Sequence, residues 1–218
     1  MLVSFCNLKP NEKILDIGCG CGRIAIPLTR YLNHEGSYYG FDISKKCVDW
    51  DIKNISAKYP NFKFERSDIH NKNYNPKGKL KASEYKFPYG DNFFDLVFLS
   101  SIFTHLLPAD MENYLSEIAR VLKHGGRCFI TYYLINEESQ ALSRSLPNSF
   151  QFNDSGQNYY TQNMLNPETA IAYKEEMIRA LHEKYNLSIK EIHYGNWCGR
   201  KKAVGGQDVI IATKPEMA

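Results

Sequence analysis

The sequence lacks the features that mark several common classes of protein. No run approaches about 18 consecutive apolar residues, and the N-terminus has no apolar signal-like segment, so we expect neither a membrane span nor secretion. The six cysteines include no C-x-x-C pair and no grouping with histidine at metal-ligand spacing. For Cys19 and Cys21, which lie among glycines, we therefore expect no metal and no disulfide. A cytoplasmic protein fits these absences.

Charge is also modest. The formal net charge is +3 and the isoelectric point is near 8.4, well short of the strongly basic surface of a typical DNA- or RNA-binding domain, so nucleic acid is an unlikely partner. No linker, internal repeat or low-complexity tract divides the 218 residues, of which 43% are hydrophobic. We expect one domain over residues 1–218 with a full core.

What the sequence does contain is a strand, a glycine-rich turn and a helix in succession. The apolar segment Lys13–Ile17 breaks into three alternating glycines, Gly18, Gly20 and Gly22, and residues 23–32 follow with helical spacing. Glycines in such a turn let the backbone approach a ligand that Cβ atoms would exclude. A second strand over residues 37–41 then ends in an acid, as in a nucleotide-binding βαβ unit.

The acid, Asp42, lies about 20 residues past the last glycine, where a carboxylate can accept from the two hydroxyls of a ribose. A dinucleotide fingerprint needs the spacing G-x-G-x-x-G, and its third glycine would fall on Arg23. The spacing therefore argues against a pyrophosphate-binding site.

The pattern G-x-G-x-G preceded by Asp16 resembles motif I of the class I S-adenosylmethionine-dependent methyltransferases, and the resemblance extends along nearly the whole chain. It implies S-adenosylmethionine as cofactor. It also implies a Rossmann-like α/β three-layer sandwich with a mostly parallel seven-stranded sheet whose last strand is antiparallel. The cofactor-binding positions it implies are Asp16, Gly18, Cys19, Gly20, Gly22, Asp42, Ile43, Asp68, Ile69 and Ser100.

Two of these positions follow the third predicted strand, residues 62–66. In the resembled family an acid there binds the adenine amino group and the next residue offers its backbone amide, which implies these roles for Asp68 and Ile69. The other interpretation of Asp68 is an exposed aspartate in a turn.

Further strands are predicted at 93–99, 127–134, 187–193 and 208–213. Helices are predicted at 44–59, 112–122 and 168–185, and irregular segments at 70–92, 135–166 and 194–207. Ligands of open α/β sheets bind beyond the carboxyl ends of the strands. We therefore expect cofactor at the first loops, and substrate at 135–166 and 194–207.

A sulfonium methyl group is already a strong electrophile, so a base is needed only where the acceptor must lose a proton. The segment 100–108 resembles motif IV of the small-molecule branch of the family and contains no N-P-P-Y or D-P-P-Y signature. His105 is the best-placed histidine for a general base, and the alternative is that it only packs the loop.

In the 194–207 loop, Trp197 offers a stacking face and Arg200 a two-bond clamp for an anionic group of the acceptor. The alternative is that Trp197 plugs the sheet edge. We expect methyl transfer to a small molecule, such as a sugar- or lipid-linked metabolite. Methylation of RNA or protein stays open, as does a non-catalytic cofactor-binding or scaffold subunit.

Overall fold

The computed structural model describes residues 2–145 and 151–216. The strands are β1 (Lys13–Ile17), β2 (Ser37–Asp42), β3 (Phe62–Arg66), β4 (Phe94–Leu99), β5 (Leu122–Tyr132), β6 (Leu134–Ile135), β7 (Asn153–Asp154), β8 (Tyr160–Thr161), β9 (Ile171–Lys174), β10 (Ser188–His193) and β11 (Asp208–Thr213). The centre of the structure is a seven-stranded sheet in the order β10-β11-β5-β4-β1-β2-β3, and a second, four-stranded sheet has the order β6-β9-β8-β7.

The large sheet has the predicted topology. Strands β3, β2, β1, β4 and β5 run parallel, and β11 runs antiparallel to both β5 and β10. The prediction of a mostly parallel sheet with an antiparallel last strand is confirmed. Because the parallel strands end at one edge, which we call the carboxyl edge, the loops that follow them meet there.

The helices cover both faces of this sheet because side chains alternate along each strand. On β1, Ile14 packs with residues of the first three helices, whereas Leu15 and Ile17 pack with residues of the fourth and sixth helices. The result is a three-layer sandwich. The helices are α1 (Leu2–Cys6), α2 (Ala25–Leu28), α3 (Lys45–Asp51, continued by a π-helical turn Ile52–Ser56), α4 (Pro108–Val121), α5 (Glu137–Ser145) and α6 (Glu175–Lys184).

Several predicted elements need correction. The helix expected over 23–32 is only α2, and the strand expected from residue 127 already begins at Leu122, which pairs with Phe94. The helix expected over 168–185 begins only at Glu175, because Ile171–Lys174 forms β9 between β6 and β8. An apolar run of this length fits a buried strand as well as a helix.

The segment predicted to be irregular, 135–166, contains α5, β7 and β8. Residues 146–150 of that segment lie outside the described residues. Among the helices of residues 2–145 and 151–216, none combines the length and the apolar character needed to cross a bilayer.

Candidate functional site

A cavity of about 360 Å³ opens at the carboxyl edge, where strands β1 to β4 end. Its wall includes Gly18 after β1, Asp42 at the end of β2, Ile69 after β3 and Ser101 after β4. The volume falls in the range of small-molecule sites in proteins, roughly 300–1,000 Å³. The loops that follow these four parallel strands thus meet at one cavity, as the sequence analysis predicted.

The glycine turn has the left-handed backbone that its composition suggests. Gly18, Gly20 and Gly22 have φ values of 77°, 56° and 71°, which disfavour any side chain with a Cβ. The turn is joined to β2 because the amides of Gly18 and Cys19 both donate to the Phe41 carbonyl oxygen, at 2.8 and 3.2 Å.

The second and third glycines of the turn have different surroundings. A Cβ on Gly22 would lie 2.6 Å from the Ile55 side chain and 2.8 Å from Asp51 Oδ1, so Gly22 is required for close packing on the helix. A Cβ on Gly20 would meet no protein atom within 4 Å. The space beside Gly20 is therefore free of protein.

Asp42 is held between the turn and the start of α3. The Gly20 amide donates to Asp42 Oδ2 at 2.8 Å, and the Ser44 amide donates to Asp42 Oδ1 at 2.7 Å. Each carboxylate oxygen has a second lone pair, so both can accept one more hydrogen bond. The side chain is thus fixed in place and still able to bind two hydroxyl groups.

Asp16, the acid before the turn, is not in the cavity wall. It is buried and accepts a hydrogen bond from the Tyr38 hydroxyl, and burial raises the pKa of its carboxyl to about 7. Cys19 is also buried, and burial raises the pKa of its thiol. Both residues support the turn from inside the protein, since the Cys19 amide donates to the Phe41 carbonyl oxygen and its thiol donates to Asp51 Oδ2 at 4.0 Å.

After β3, the two positions predicted for adenine differ in placement. Ile69 lines the cavity, as does Ile43, the predicted cofactor residue after β2. Asp68 forms an ion pair with Arg66 at 2.8 Å and accepts from Asn75 Nδ2 at 3.2 Å. The carboxylate of Asp68 is therefore engaged by the end of β3 and by its own loop.

After β4, Ser101 rather than the predicted Ser100 lines the cavity. Ser101 has a left-handed backbone with φ of 63°, which is uncommon for a residue with a Cβ. Two contacts hold it there: its amide donates to Thr131 Oγ1 at 2.7 Å, and its hydroxyl donates to Gln207 Oε1 at 2.9 Å. Gln207 thereby connects the 194–207 loop to the site, a role that the sequence analysis missed.

Two segments far apart in the chain meet beside the cavity, and we call residues 69–80 and 163–169 the roof segments. Asn71 Nδ2 donates to Glu168 Oε1 at 2.8 Å, and Asn166 Nδ2 donates to Asn73 Oδ1 at 2.8 Å. Asn71 and Glu168 both line the cavity. The abundance of Asn in 70–92 indicates turns, but no local signal indicates a partner more than 90 residues away.

His105 also lies in the cavity wall and is oriented by a roof segment. Its Nδ1 lies 2.8 Å from the Glu168 carbonyl oxygen. A carbonyl oxygen only accepts, so Nδ1 carries the proton, and in the neutral ring Nε2 keeps its lone pair. The ring of Tyr74, whose residue is 61% exposed, stands edge-on to the His105 ring with centroids 5.9 Å apart.

The predicted substrate residues Trp197 and Arg200 lie elsewhere. Trp197 Nε1 donates to Asp208 Oδ2 at 2.7 Å, and Arg200 pairs with Glu138 at 2.8 Å and with Asp208 at 3.3 Å. The Arg200 side chain is 5% exposed, and neither residue lines the cavity at the carboxyl edge. This geometry does not support an acceptor clamp, because the guanidinium is buried and already paired.

The prediction that Cys21 forms no disulfide is wrong. Cys21, in the glycine turn, is bonded to Cys47 in the first turn of α3, with Cα atoms 4.5 Å apart. The two cysteines are 26 positions apart, and spacing alone does not reveal such a pair.

The residues present suit the cofactor that the sequence implies. Asp42 offers two oriented acceptors for vicinal hydroxyls, and Ile43, Ile69 and Ile102 give the cavity apolar walls for a flat ring. The free space beside Gly20 allows the backbone of the turn to be approached closely. S-adenosylmethionine fits this combination of groups.

The comparisons with known proteins point to the methyltransferases, which agrees with this cofactor. Residues 8–185 match the family described as "Methyltransferase domain". The 2-phytyl-1,4-naphtoquinone methyltransferase of Trichormus variabilis is 24% identical over 176 residues, covering 81% of this chain and 66% of that protein. The tRNA N(3)-cytidine methyltransferase METTL2 of Gallus gallus is 28% identical over 123 residues, covering 56% of this chain and 30% of that protein. The chain therefore spans less than two thirds of either relative.

Among solved structures, a SAM-dependent methyltransferase from Methanosarcina mazei superposes with a TM-score of 0.64 at 19% identity. The match covers 100% of this chain and 99% of that one. At this identity the similarity establishes the fold, including the seven-stranded sheet with its antiparallel last strand.

Proposed function

The chain belongs to the class I S-adenosylmethionine-dependent methyltransferases, and we propose that it transfers a methyl group to a small-molecule acceptor. Its cofactor, S-adenosylmethionine, supplies an electrophilic sulfonium methyl group. The observation that carries the proposal is the placement of Asp42 in the cavity at the carboxyl edge. Two backbone amides hold its carboxylate, and each of its oxygens can accept one further hydrogen bond. In the proposal, Asp42 accepts from both ribose hydroxyls.

His105 is the residue we propose for proton removal. With Nδ1 donating to the Glu168 carbonyl oxygen, Nε2 of the neutral ring is free to accept a proton from an acceptor hydroxyl or amine. Glu168 belongs to the 3₁₀ turn Pro167–Thr169, and its carboxylate is in turn held by Asn71. These contacts fix the ring orientation, which a base needs before it can act.

In the proposal, the roof segments enclose part of the cavity and thereby favour a small acceptor over a large one. Besides the contacts of Glu168 and Asn166, the Tyr173 hydroxyl of β9 donates to the Leu106 carbonyl oxygen at 2.5 Å, beside His105. The second sheet is thereby attached to the loop that follows β4. A partly enclosed cavity suits a metabolite-sized acceptor better than a large polymer, and excluding water strengthens the electrostatic contacts inside. A cytoplasmic location is part of the same proposal.

The test is transfer of a labelled methyl group from S-adenosylmethionine to a panel of metabolites that includes quinols, sugars and amines, each run with the wild-type chain and with Asp42→Ala. A labelled small product that depends on Asp42 supports the proposal. Cofactor binding without transfer to any acceptor would favour the scaffold alternative.

RNA is the second candidate acceptor, because one relative is a tRNA methyltransferase by name. The modest net charge of +3 speaks against it. Adding bulk tRNA to the same panel separates the two: label in the RNA fraction, removed by nuclease, would replace the small-molecule proposal.

A further inference from the structure

Among the described residues, the Cys21–Cys47 disulfide is the one cysteine pair that is exposed to solvent. Cys21 is exposed and Cys47 is half-buried, whereas Cys6, Cys19, Cys128 and Cys198 are free thiols that are all buried. Thiol–disulfide exchange requires access of an attacking thiolate to a sulfur atom. External reductants and oxidants can therefore act on this pair while the other four cysteines stay protected.

The disulfide joins the two segments that hold Asp42. Cys21 stands between Gly20, whose amide donates to Asp42 Oδ2, and Gly22, which packs on α3. Cys47 lies in the first turn of α3, and its amide donates at 3.4 Å to the hydroxyl of Ser44, the residue whose own amide donates to Asp42 Oδ1. The covalent bond and the carboxylate thus bridge the same turn and the same helix start.

We propose that Cys21–Cys47 is a thiol–disulfide switch that sets the affinity of the cofactor site. This inference rests on the proposed function, because it takes the cavity beside Asp42 to be the S-adenosylmethionine site. In the oxidised chain the turn is fixed against α3, and the Gly20 amide stays on Asp42. In the reduced chain only non-covalent contacts keep it there.

The loss of the covalent bond matters because of the composition of the turn. Three of its five residues are glycines with left-handed backbones, and glycine has the largest conformational freedom of any residue. A site that is binding-competent only part of the time shows an affinity reduced by that fraction. The reduced chain should therefore bind the cofactor more weakly than the oxidised chain.

The exchange balances with a dithiol as reductant. A thiolate of the dithiol attacks the exposed Cys21 sulfur, the Sγ–Sγ bond breaks, and Cys47 leaves as a thiolate that takes up a proton. The second thiol of the reductant then displaces Cys21 and closes the reductant's own disulfide. Two electrons and two protons pass to the protein, and a low-molecular-weight disulfide reverses the reaction.

The first measurement counts reactive thiols in the native chain by iodoacetamide labelling and intact mass. We expect no label on the oxidised chain and two labels after mild reduction, with Cys21 and Cys47 identified by peptide mapping. Two labels without any reductant would overturn the proposal, because the pair would then not form.

The second measurement is calorimetric titration of S-adenosylhomocysteine into the oxidised chain and into the chain kept reduced. We expect the Kd to rise about three- to tenfold on reduction and to return on reoxidation with glutathione disulfide. Circular dichroism in both states checks that the fold is kept. Equal Kd values in the two states would overturn the switch and leave the proposed function standing, whereas no binding in either state would overturn both.

Variants separate the pair from other effects of reductant. Cys47→Ser and Cys21→Ser should each bind with the Kd of the reduced wild type and should not respond to reductant. Cys6→Ala, which removes a buried thiol in α1, should keep the full response. If either serine variant kept the oxidised Kd, the disulfide would not control the site.

Discussion

The Gly20 amide donates a hydrogen bond of 2.8 Å to Asp42 Oδ2, which joins the turn after β1 to the end of β2. The bond exists because Gly20 adopts a left-handed backbone, with φ of 56°, that turns its amide toward the carboxylate. It leaves each Asp42 oxygen able to accept one further hydrogen bond. The turn and the acid are therefore one unit, and changing either residue should disturb the same site.

Gly20→Ala tests this unit. The added Cβ costs about 1–2 kcal/mol of stability in a left-handed backbone, and it occupies space that is free of protein. We expect the Kd for S-adenosylhomocysteine to rise about tenfold, measured by calorimetry. Gly156→Ala is the matched control, since Gly156, in the turn between β7 and β8, also has a left-handed backbone (φ of 71°) and no protein atom within 4 Å of an added Cβ. If both variants weaken binding equally, the effect comes from stability and not from the turn.

Arg200→Ala should destabilise the chain and spare the site. The change leaves the buried Asp208 carboxylate without its cationic partner, at a cost of about 3 kcal/mol. Thermal unfolding should show a clear fall in Tm, while the Kd for S-adenosylhomocysteine stays within about twofold. Lys201→Ala, at an exposed neighbouring position, should change stability by less than about 0.5 kcal/mol. A raised acceptor KM with unchanged Tm would restore the substrate role predicted from the sequence.

Asp16 should make stability depend on pH. Burial raises the pKa of its carboxyl to about 7, so between about pH 4 and pH 7 the folded chain holds a proton that the unfolded chain has lost. The protonated Asp16 carboxyl therefore contributes to the free energy of unfolding at low pH, and this contribution is lost as the pH rises through 7. His182 acts in the opposite direction between pH 6.5 and 4, because burial lowers the pKa of its ring to about 4.

A variant isolates the Asp16 effect from that of His182. Asp16→Asn has no titrating group at this position. Between pH 5 and pH 8 its free energy of unfolding should therefore fall less than that of the wild type, by an amount on the order of 1–3 kcal/mol. Urea unfolding of the wild type and the variant at pH 5, 6, 7 and 8 measures it. Parallel curves for the two proteins would show that Asp16 is ionised in both folded and unfolded states.

His105→Gln tests the proposed base once an acceptor is known. For a hydroxyl acceptor, kcat should fall by about 10²–10⁴, since proton removal loses its base, while the Kd for S-adenosylhomocysteine changes little. His124→Gln is the control, because His124 Nδ1 also lies near a carbonyl oxygen, that of Pro215, but lines no part of the cavity. An unchanged kcat in His105→Gln would leave His105 with a packing role.

The sequence predicted the elements that depend on local pattern. The turn at Gly18 to Gly22 follows from the placement of its glycines, and the end of β2 at Asp42 follows from the acid that closes the second predicted strand. The helix begins after Ser44 because the Ser44 side chain accepts from the Cys47 amide as an N-cap. All of these signals act within a few positions. These same features place the proposed cofactor site, so its expected position at the carboxyl edge follows from the sequence as well as from the fold.

The features that the sequence did not reveal depend on partners distant in the chain. Ile171–Lys174 forms a strand because β6 and β8 pair with it, and Glu168 faces the cavity because Asn71 holds it. Arg200 looked available for a ligand, since nothing in the sequence of its own loop shows that its side chain is buried and paired with Asp208 and Glu138. The composition of a loop indicates which chemistry it can perform, but burial decides whether that chemistry is free.

Calorimetric titration of the wild type and of Asp42→Ala with S-adenosylmethionine tests the central claim, that this cavity is the cofactor site. Losing a charged acceptor for two hydroxyls costs roughly 1.5–3 kcal/mol, so we predict at least about a tenfold weaker Kd with an unchanged fold. Asp49→Ala, at an exposed position on α3 where the carboxylate pairs with Lys45, should bind as the wild type does. Equal affinity of Asp42→Ala and the wild type, or no binding by the wild type, would contradict the account.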